Sequence, residues 1–193
     1  MLSAPWLKPL AFTACLAPLA SLAWLAYHND LGANPLEFIT RSTGDWTLRF
    51  LLLSLAITPA RRLTGISSLI RFRRMIGLFS FFYAALHLLT YLWFDQFFDT
   101  ASILKDIARR PFIAAGMAGF LLLLPLALTS TAGWIRRLGG RNWQRLHRLA
   151  YLAAIAGVVH YYWLVKSDIR LPLLYAAIAA ALLLFRAIPR FSR

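Results

Sequence analysis

Residues 75–94 read MIGLFSFFYAALHLLTYLWF, a run without Asp, Glu, Lys or Arg and with a single histidine, His87. At a rise of about 1.5 Å per residue, a helix of this length matches a hydrocarbon layer roughly 30 Å thick. The stretch 111–134, PFIAAGMAGFLLLLPLALTSTAGW, is equally free of charge. Working outward with the same criterion gives six candidate spans, at about 10–27, 46–60, 75–94, 111–134, 147–165 and 171–188. The predicted fold is all-α, one six-helix membrane bundle over residues 1–193. The second span is short, and Arg49 near its end is expected to snorkel to the headgroups. Pro125 predicts a kink in the fourth. The first has only Lys8 as a basic flank and no clear cleavage site, so it reads as a span rather than a signal peptide.

Composition agrees. The chain is 60% hydrophobic and 15% charged, against about 45–50% and 25% for soluble domains. A net charge of +14 by itself points toward nucleic acid, but a soluble nucleic-acid-binding domain cannot be this apolar. The partner that the composition implies is a lipid bilayer. One cysteine, Cys15, excludes a disulfide scaffold, and the hydrophobicity excludes disorder.

Placed on six spans, the charges separate. One side holds Lys8, Arg61, Arg62, Arg71, Arg73, Arg74, Arg136, Arg137, Arg141, Arg145, Arg148, Arg186, Arg190 and Arg193, with no acid. The other holds seven cations and all seven acids: Asp30, Glu37, Asp45, Asp95, Asp99, Asp106 and Asp168. The positive-inside rule makes the first side, with both termini, cytoplasmic. The seven tryptophans fall near span ends, as an interfacial aromatic belt requires. No dinucleotide fingerprint, Walker loop, H-E-x-x-H or C-x-x-C occurs, and the longest connection is about 18 residues. The chemistry therefore belongs within the membrane or at its edge.

Four histidines are candidates: His28, His87, His147 and His160. His28 ends the first span, where a solvated imidazole needs no further role. His87 lies well inside the third span, toward the outer half. His147 and His160 are thirteen residues apart on the fifth span, about 20 Å along a helix axis. His160 thus reaches the depth of His87 on a different helix. Two neutral imidazoles converging at one depth suit axial ligation of a haem iron. Helix–helix hydrogen bonding is the plainer use of a buried histidine. Counting thirteen residues back from His87 reaches Arg74, a poor iron ligand and a good partner for a haem propionate. His147 is then left to hold a second haem alone, or a flavin or quinone headgroup. A thirteen-residue step also turns about 220° around a helix, which argues against two identically stacked haems. Arg73, Arg74, Arg141, Arg145 and Arg148 flank the histidine-bearing spans and are the candidate cofactor contacts.

RRMIGL, LHLLTY around His87, LTSTAGWIRRLGGRNWQRLHRLAYL through His147 and HYYWLVK after His160 carry a resemblance, together with GANP and ITPARR. The chain resembles, over nearly its whole length, the haem-binding membrane subunits of bacterial periplasmic methionine sulfoxide reductase systems, the MsrQ family. It is more distantly similar to the ferric-reductase-like domain of larger flavocytochromes. The resemblance implies a six-span protein of the bacterial inner membrane with one or two haem b groups and associated FMN. It implies electron transfer from the quinone pool or a cytoplasmic flavin reductase to a periplasmic molybdopterin methionine sulfoxide reductase. His87, His147 and His160 match the family's haem-associated histidines. The wider relatives place paired histidines fourteen apart on each of two helices, whereas this chain has thirteen on one and Arg74 at the matching place on the other.

Two other readings compete with an electron-transfer subunit that has no substrate site of its own. One is a free-standing ferric or quinone reductase. The other is a proton-coupled transporter with His87 and His160 as the relay, which the lack of acids within any predicted span disfavours.

Overall fold

The computed structural model describes residues 5–187. It is all-helical: α1 (Leu7–Tyr27), α2 (Pro35–Thr64), α3 (Ile70–Thr90), α4 (Thr100–Arg109), α5 (Pro111–Leu128), α6 (Ala132–Leu146), α7 (Leu149–Leu164) and α8 (Arg170–Ala187). A 3-10 turn, Ser67–Leu69, leads into α3, and a π turn, Tyr91–Asp95, extends it. Each of the six predicted stretches is helical over most of its described length. Arg190 and Arg193 lie outside the described residues.

Local chemistry accounts for most boundaries. α2 begins eleven residues before its predicted start because Asn34 caps it: Glu37 N–H donates to Asn34 Oδ1 at 3.2 Å, with Pro35 at the first helical position. Gly65, at φ 72°, closes the same helix. The fourth predicted span ends early, at Leu128, instead of running to 134. The hydroxyls of Thr129 and Ser130 turn back onto the carbonyls of Pro125 and Leu126, both at 2.6 Å. Thr131 then caps α6 by accepting from Trp134 N–H. α6 is a separate amphipathic helix kinked at Gly139 (φ 72°, ψ 149°), with Arg136, Arg137, Arg141 and Arg145 exposed. α4 is a second amphipathic helix absent from the sequence reading, capped by Asp99.

α2 packs along α3 and α5 along α7, with α8 against α7 and α2 and α1 against α3. The core between the two pairs is Leu48, Leu51, Leu52 and Leu55 of α2, Ala84 of α3, Leu123 and Leu126 of α5, Ala153 and Ala154 of α7 and Ala179 of α8. Small residues on α7 let the helices approach closely. Among the described residues, three helical stretches are long and apolar enough to cross a membrane: Leu7–Tyr27, Ser67–Asp95 and Pro111–Leu128. α7 is apolar but shorter.

Tyr83 hydrogen-bonds α1 to α3, beside the ring contact of Phe12 with Phe79. Tyr83, wholly buried, accepts from Leu19 N–H at 3.1 Å and donates to the Cys15 carbonyl at 3.0 Å, bridging a turn that contains Pro18. Replacing it by Phe leaves that bridge unmade at a cost of about 1 kcal/mol. Tyr83→Phe is expected to melt at a lower temperature in detergent, and an unchanged melt would show the bridge to be dispensable.

Candidate functional site

His87 on α3 and His160 on α7 face each other across the bundle, their ring centres 6.0 Å apart and their planes at 76°. Two imidazoles on one metal ion, at bonds of about 2 Å, stand at roughly this separation. Each ring is oriented by its Nδ1. His87 Nδ1 donates to the Thr40 carbonyl at 2.9 Å, and His160 Nδ1 donates to the Phe112 carbonyl at 2.6 Å. A proton on Nδ1 leaves the lone pair on Nε2, the tautomer that ligates a metal, and a carbonyl partner at the other nitrogen holds the ring in place.

The two bonds are built alike. Thr40 lies four residues before Gly44 on α2, and Phe112 lies four before Gly116 on α5. A Cβ at Gly44 would stand 3.1 Å from His87 Cε1, and one at Gly116 would stand 2.8 Å from His160 Nδ1. The missing side chains open the helix surface so that an imidazole can lie over it and reach the carbonyl one turn back. The sequence reading missed both glycines. Their only signal is a glycine inside an apolar helix, which fits close helix packing equally well.

A polar network borders the pair. Arg49 Nε donates to Tyr175 Oη at 2.8 Å, its guanidinium stands 3.6 Å from Asp45 and 4.9 Å from the Trp46 ring centre. Asp45 also neighbours Tyr161, which follows His160. Arg49 is thus tied into the bundle by an acid, a phenol and an indole, where snorkelling alone had been expected. Asp45 lies on α2 beside Gly44, an acid within a helix whose predicted span began one residue later.

His147 departs from its expected place on the fifth span. It ends α6, its N–H bonded to the Trp143 carbonyl at 3.0 Å, and α7 begins only at Leu149. His147 and Arg148 keep right-handed helical dihedrals and join α6 to α7 through bonds of the 3-10 type, so the thirteen-residue step to His160 does not run along one regular α-helix. The His147 ring stacks on Trp143 with centres 3.8 Å apart, its Nδ1 meets the Trp143 carbonyl and its Nε2 lies 3.5 Å from Ser130 Oγ. Trp143 Nε1 donates to the Thr129 carbonyl at 2.9 Å and binds this turn to the end of α5. On α3 it is Arg73 that is half-buried, near Tyr151, while Arg74 is exposed. Arg141, Arg145 and Arg148 are exposed as well. His28 is exposed and stacked on Trp24, as its position at a helix end implied. The segments 28–45 and 95–110 are largely helical, in the first turns of α2 and in α4.

Among the described residues no group of three or more His, Cys, Asp or Glu side chains could hold a metal ion. The donor set at the bundle centre is two neutral nitrogens in apolar surroundings. That set fits an iron whose remaining ligands come from a macrocycle and does not fit a bare ion needing four protein donors.

Comparison with known proteins points the same way. The model of the ferric reductase like transmembrane component matches residues 43–158, a segment that contains Gly44, His87, Gly116 and His147. A relative from Herminiimonas arsenicoxydans is 54% identical over 182 residues, 93% of this chain and 84% of its own. Relatives from Caulobacter vibrioides and Rhodospirillum rubrum are 55% and 53% identical, over 92% and 94% of this chain and 84% and 88% of theirs. All three are named protein-methionine-sulfoxide reductase heme-binding subunit MsrQ. Apolar helices of spanning length, a family match over more than half the chain and such relatives over nearly all of it lead to one conclusion: the chain is a membrane protein of the ferric-reductase-like transmembrane family, in its MsrQ group.

Proposed function

We propose that this chain is the haem b-binding, electron-transferring membrane subunit of a methionine sulfoxide reductase system. The observation that carries the reading is the facing pair His87 and His160, each with Nδ1 bound to a backbone carbonyl and Nε2 left as the donor to iron. A haem b held there supplies a one-electron redox centre inside the apolar layer. The residues around it set the terms. Thr40 and Phe112 fix the tautomer and aim of each ring, and Gly44 and Gly116 give the rings room. The leucines and alanines of the core exclude water from the site.

The topology proposed is six spans in a bacterial inner membrane, α1, α2, α3, α5, α7 and α8, with both termini cytoplasmic. The segregation of fourteen cations from all seven acids supports it. α4 and α6 then lie at opposite surfaces as interfacial helices, whose amphipathic sequences suit that place. A second cofactor, a further haem b or FMN, is proposed for the cytoplasmic end, with His147, Arg73, Arg74, Arg141, Arg145 and Arg148 as its candidate contacts. Electrons pass from the quinone pool or a cytoplasmic flavin reductase, across the membrane, to a periplasmic molybdopterin methionine sulfoxide reductase. α4 and the start of α2 offer that partner the largest outer surface. The names of the relatives support haem and the reductase system. A proton-coupled transporter is less well supported, because Asp45 is engaged by Arg49 and the tyrosines rather than by the histidines.

Protein purified from a haem-replete host is expected to be red, with a split α-band on dithionite reduction. A colourless preparation would refute the reading. Reduced protein should be reoxidised by the periplasmic reductase with its substrate, and indifference to that partner would favour a free-standing reductase. His87→Ala and His160→Ala should each abolish the outer haem, while His147→Ala affects the inner cofactor. Full haem content in either of the first two overturns the pairing.

The glycines provide a graded test. Gly116→Ala places a methyl 2.8 Å from a ring held by backbone and should strongly reduce bound haem; Gly44→Ala, at 3.1 Å, should cost less. Haem per protein, read from the pyridine haemochrome, checks the order, and wild-type content in Gly116→Ala would show that the cradle is not needed.

A further inference from the structure

Between α3, α7 and α8, at the end of the molecule where α2 finishes, three polar side chains meet without an acid. Pro59 has no N–H, so the Leu55 carbonyl of α2 loses its ordinary helical donor. Arg186 of α8 replaces it, donating Nη2 to that carbonyl at 2.6 Å and Nη1 to Tyr151 Oη at 2.7 Å. Its guanidinium carbon stands 5.1 Å from the Tyr151 ring centre. Arg73 of α3 neighbours the same hydroxyl and Arg186 itself, with Arg61 of α2 close by. All four side chains are half-buried. Arg186 Nε is buried and has no protein acceptor.

No Asp or Glu of the chain reaches this place. On α2 the nearest is Asp45, ten residues from Leu55 and about 15 Å away along the helix. Three half-buried guanidinium groups near one another repel, and one phenol does not offset that. An anion seated among them offsets the repulsion. Guanidinium forks match the oxygens of phosphate, and an unmet Nε with a shared phenol completes a set of donors for one such group.

We infer that Arg73, Arg186 and Tyr151 form a binding site for a phosphate ester. The source of this chemistry is the headgroup of an anionic phospholipid, met at the ends of membrane helices. Arg186 and Tyr151 belong to no set of residues considered above, and the inference does not rest on iron binding by His87 and His160.

The test uses the full chain, purified in detergent and stripped of lipid. The probes are short-chain phosphatidylglycerol and, as the counterpart without phosphate, diacylglycerol of the same chain length, with binding read from the thermal melt and from tryptophan fluorescence. The site predicts that the phosphatidylglycerol binds and stabilises while the uncharged diacylglycerol does not. Arg186→Gln should weaken that probe about tenfold or more, and Arg186→Lys should keep part of the binding. Should Arg186→Gln fail to fold, wild type and Arg186→Lys decide, since equal response to charged and uncharged probes overturns the site. Wild-type probe affinity in Arg186→Gln also overturns it. So does a collapse of the haem spectrum in that variant with probe binding intact, which would assign the arginines to a haem carboxylate. His87→Ala should bind the probe as wild type does, so loss of the haem reading and loss of this one are separately visible.

Discussion

Two hydrogen bonds set the geometry on which the centre of this protein depends: His87 Nδ1 to the Thr40 carbonyl and His160 Nδ1 to the Phe112 carbonyl. Each carbonyl belongs to a helix turn that already offers it a backbone donor four residues on, and a carbonyl oxygen has a second lone pair to give. The glycine at that fourth residue uncovers it. In net stability such a bond is worth only about 1 kcal/mol. Its larger consequence is directional, because it clamps α3 to α2 and α7 to α5, fixes which nitrogen carries the proton, and holds the two rings with their centres 6.0 Å apart.

A similar accounting of backbone groups applies where Pro59 interrupts α2. In an apolar layer a freed carbonyl has no water to turn to. Arg186 of α8 meets the Leu55 carbonyl that Pro59 releases. Two other side-chain bonds to backbone shape the bundle without replacing a lost donor. Tyr83 joins the Cys15 carbonyl and the Leu19 N–H of α1 to α3, and the hydroxyls of Thr129 and Ser130 bond back into the last turn of α5.

Much of the fold was legible because lipid imposes a length and a composition that short-range reading detects. The depth match of His87 and His160 followed from counting residues along continuous apolar helices. Regular counting does not carry through His147, where α6 and α7 are joined by a tight turn instead of one unbroken α-helix. On α3, Arg73 stands fourteen residues before His87 and so within about 40° of it around the helix, whereas Arg74 at thirteen is turned about 220° away; it is Arg73 that is half-buried. Gly44 and Gly116 were invisible because a glycine in a membrane helix fits any close contact, and only the partner helix shows what approaches.

The amino-acid sequence by itself determined the helical class, the apolar stretches, the asymmetry of charge and the two histidines at common depth. These are properties of a chain read against a solvent, and they need no knowledge of neighbours. Tertiary structure alone decided that both histidines use the same carbonyl-and-glycine seat, that Arg49 answers Tyr175, and that Arg186 stands with Arg73 around one phenol. Each of these joins residues distant in sequence, and the rotation of one helix about its axis relative to another is fixed only when all of them pack.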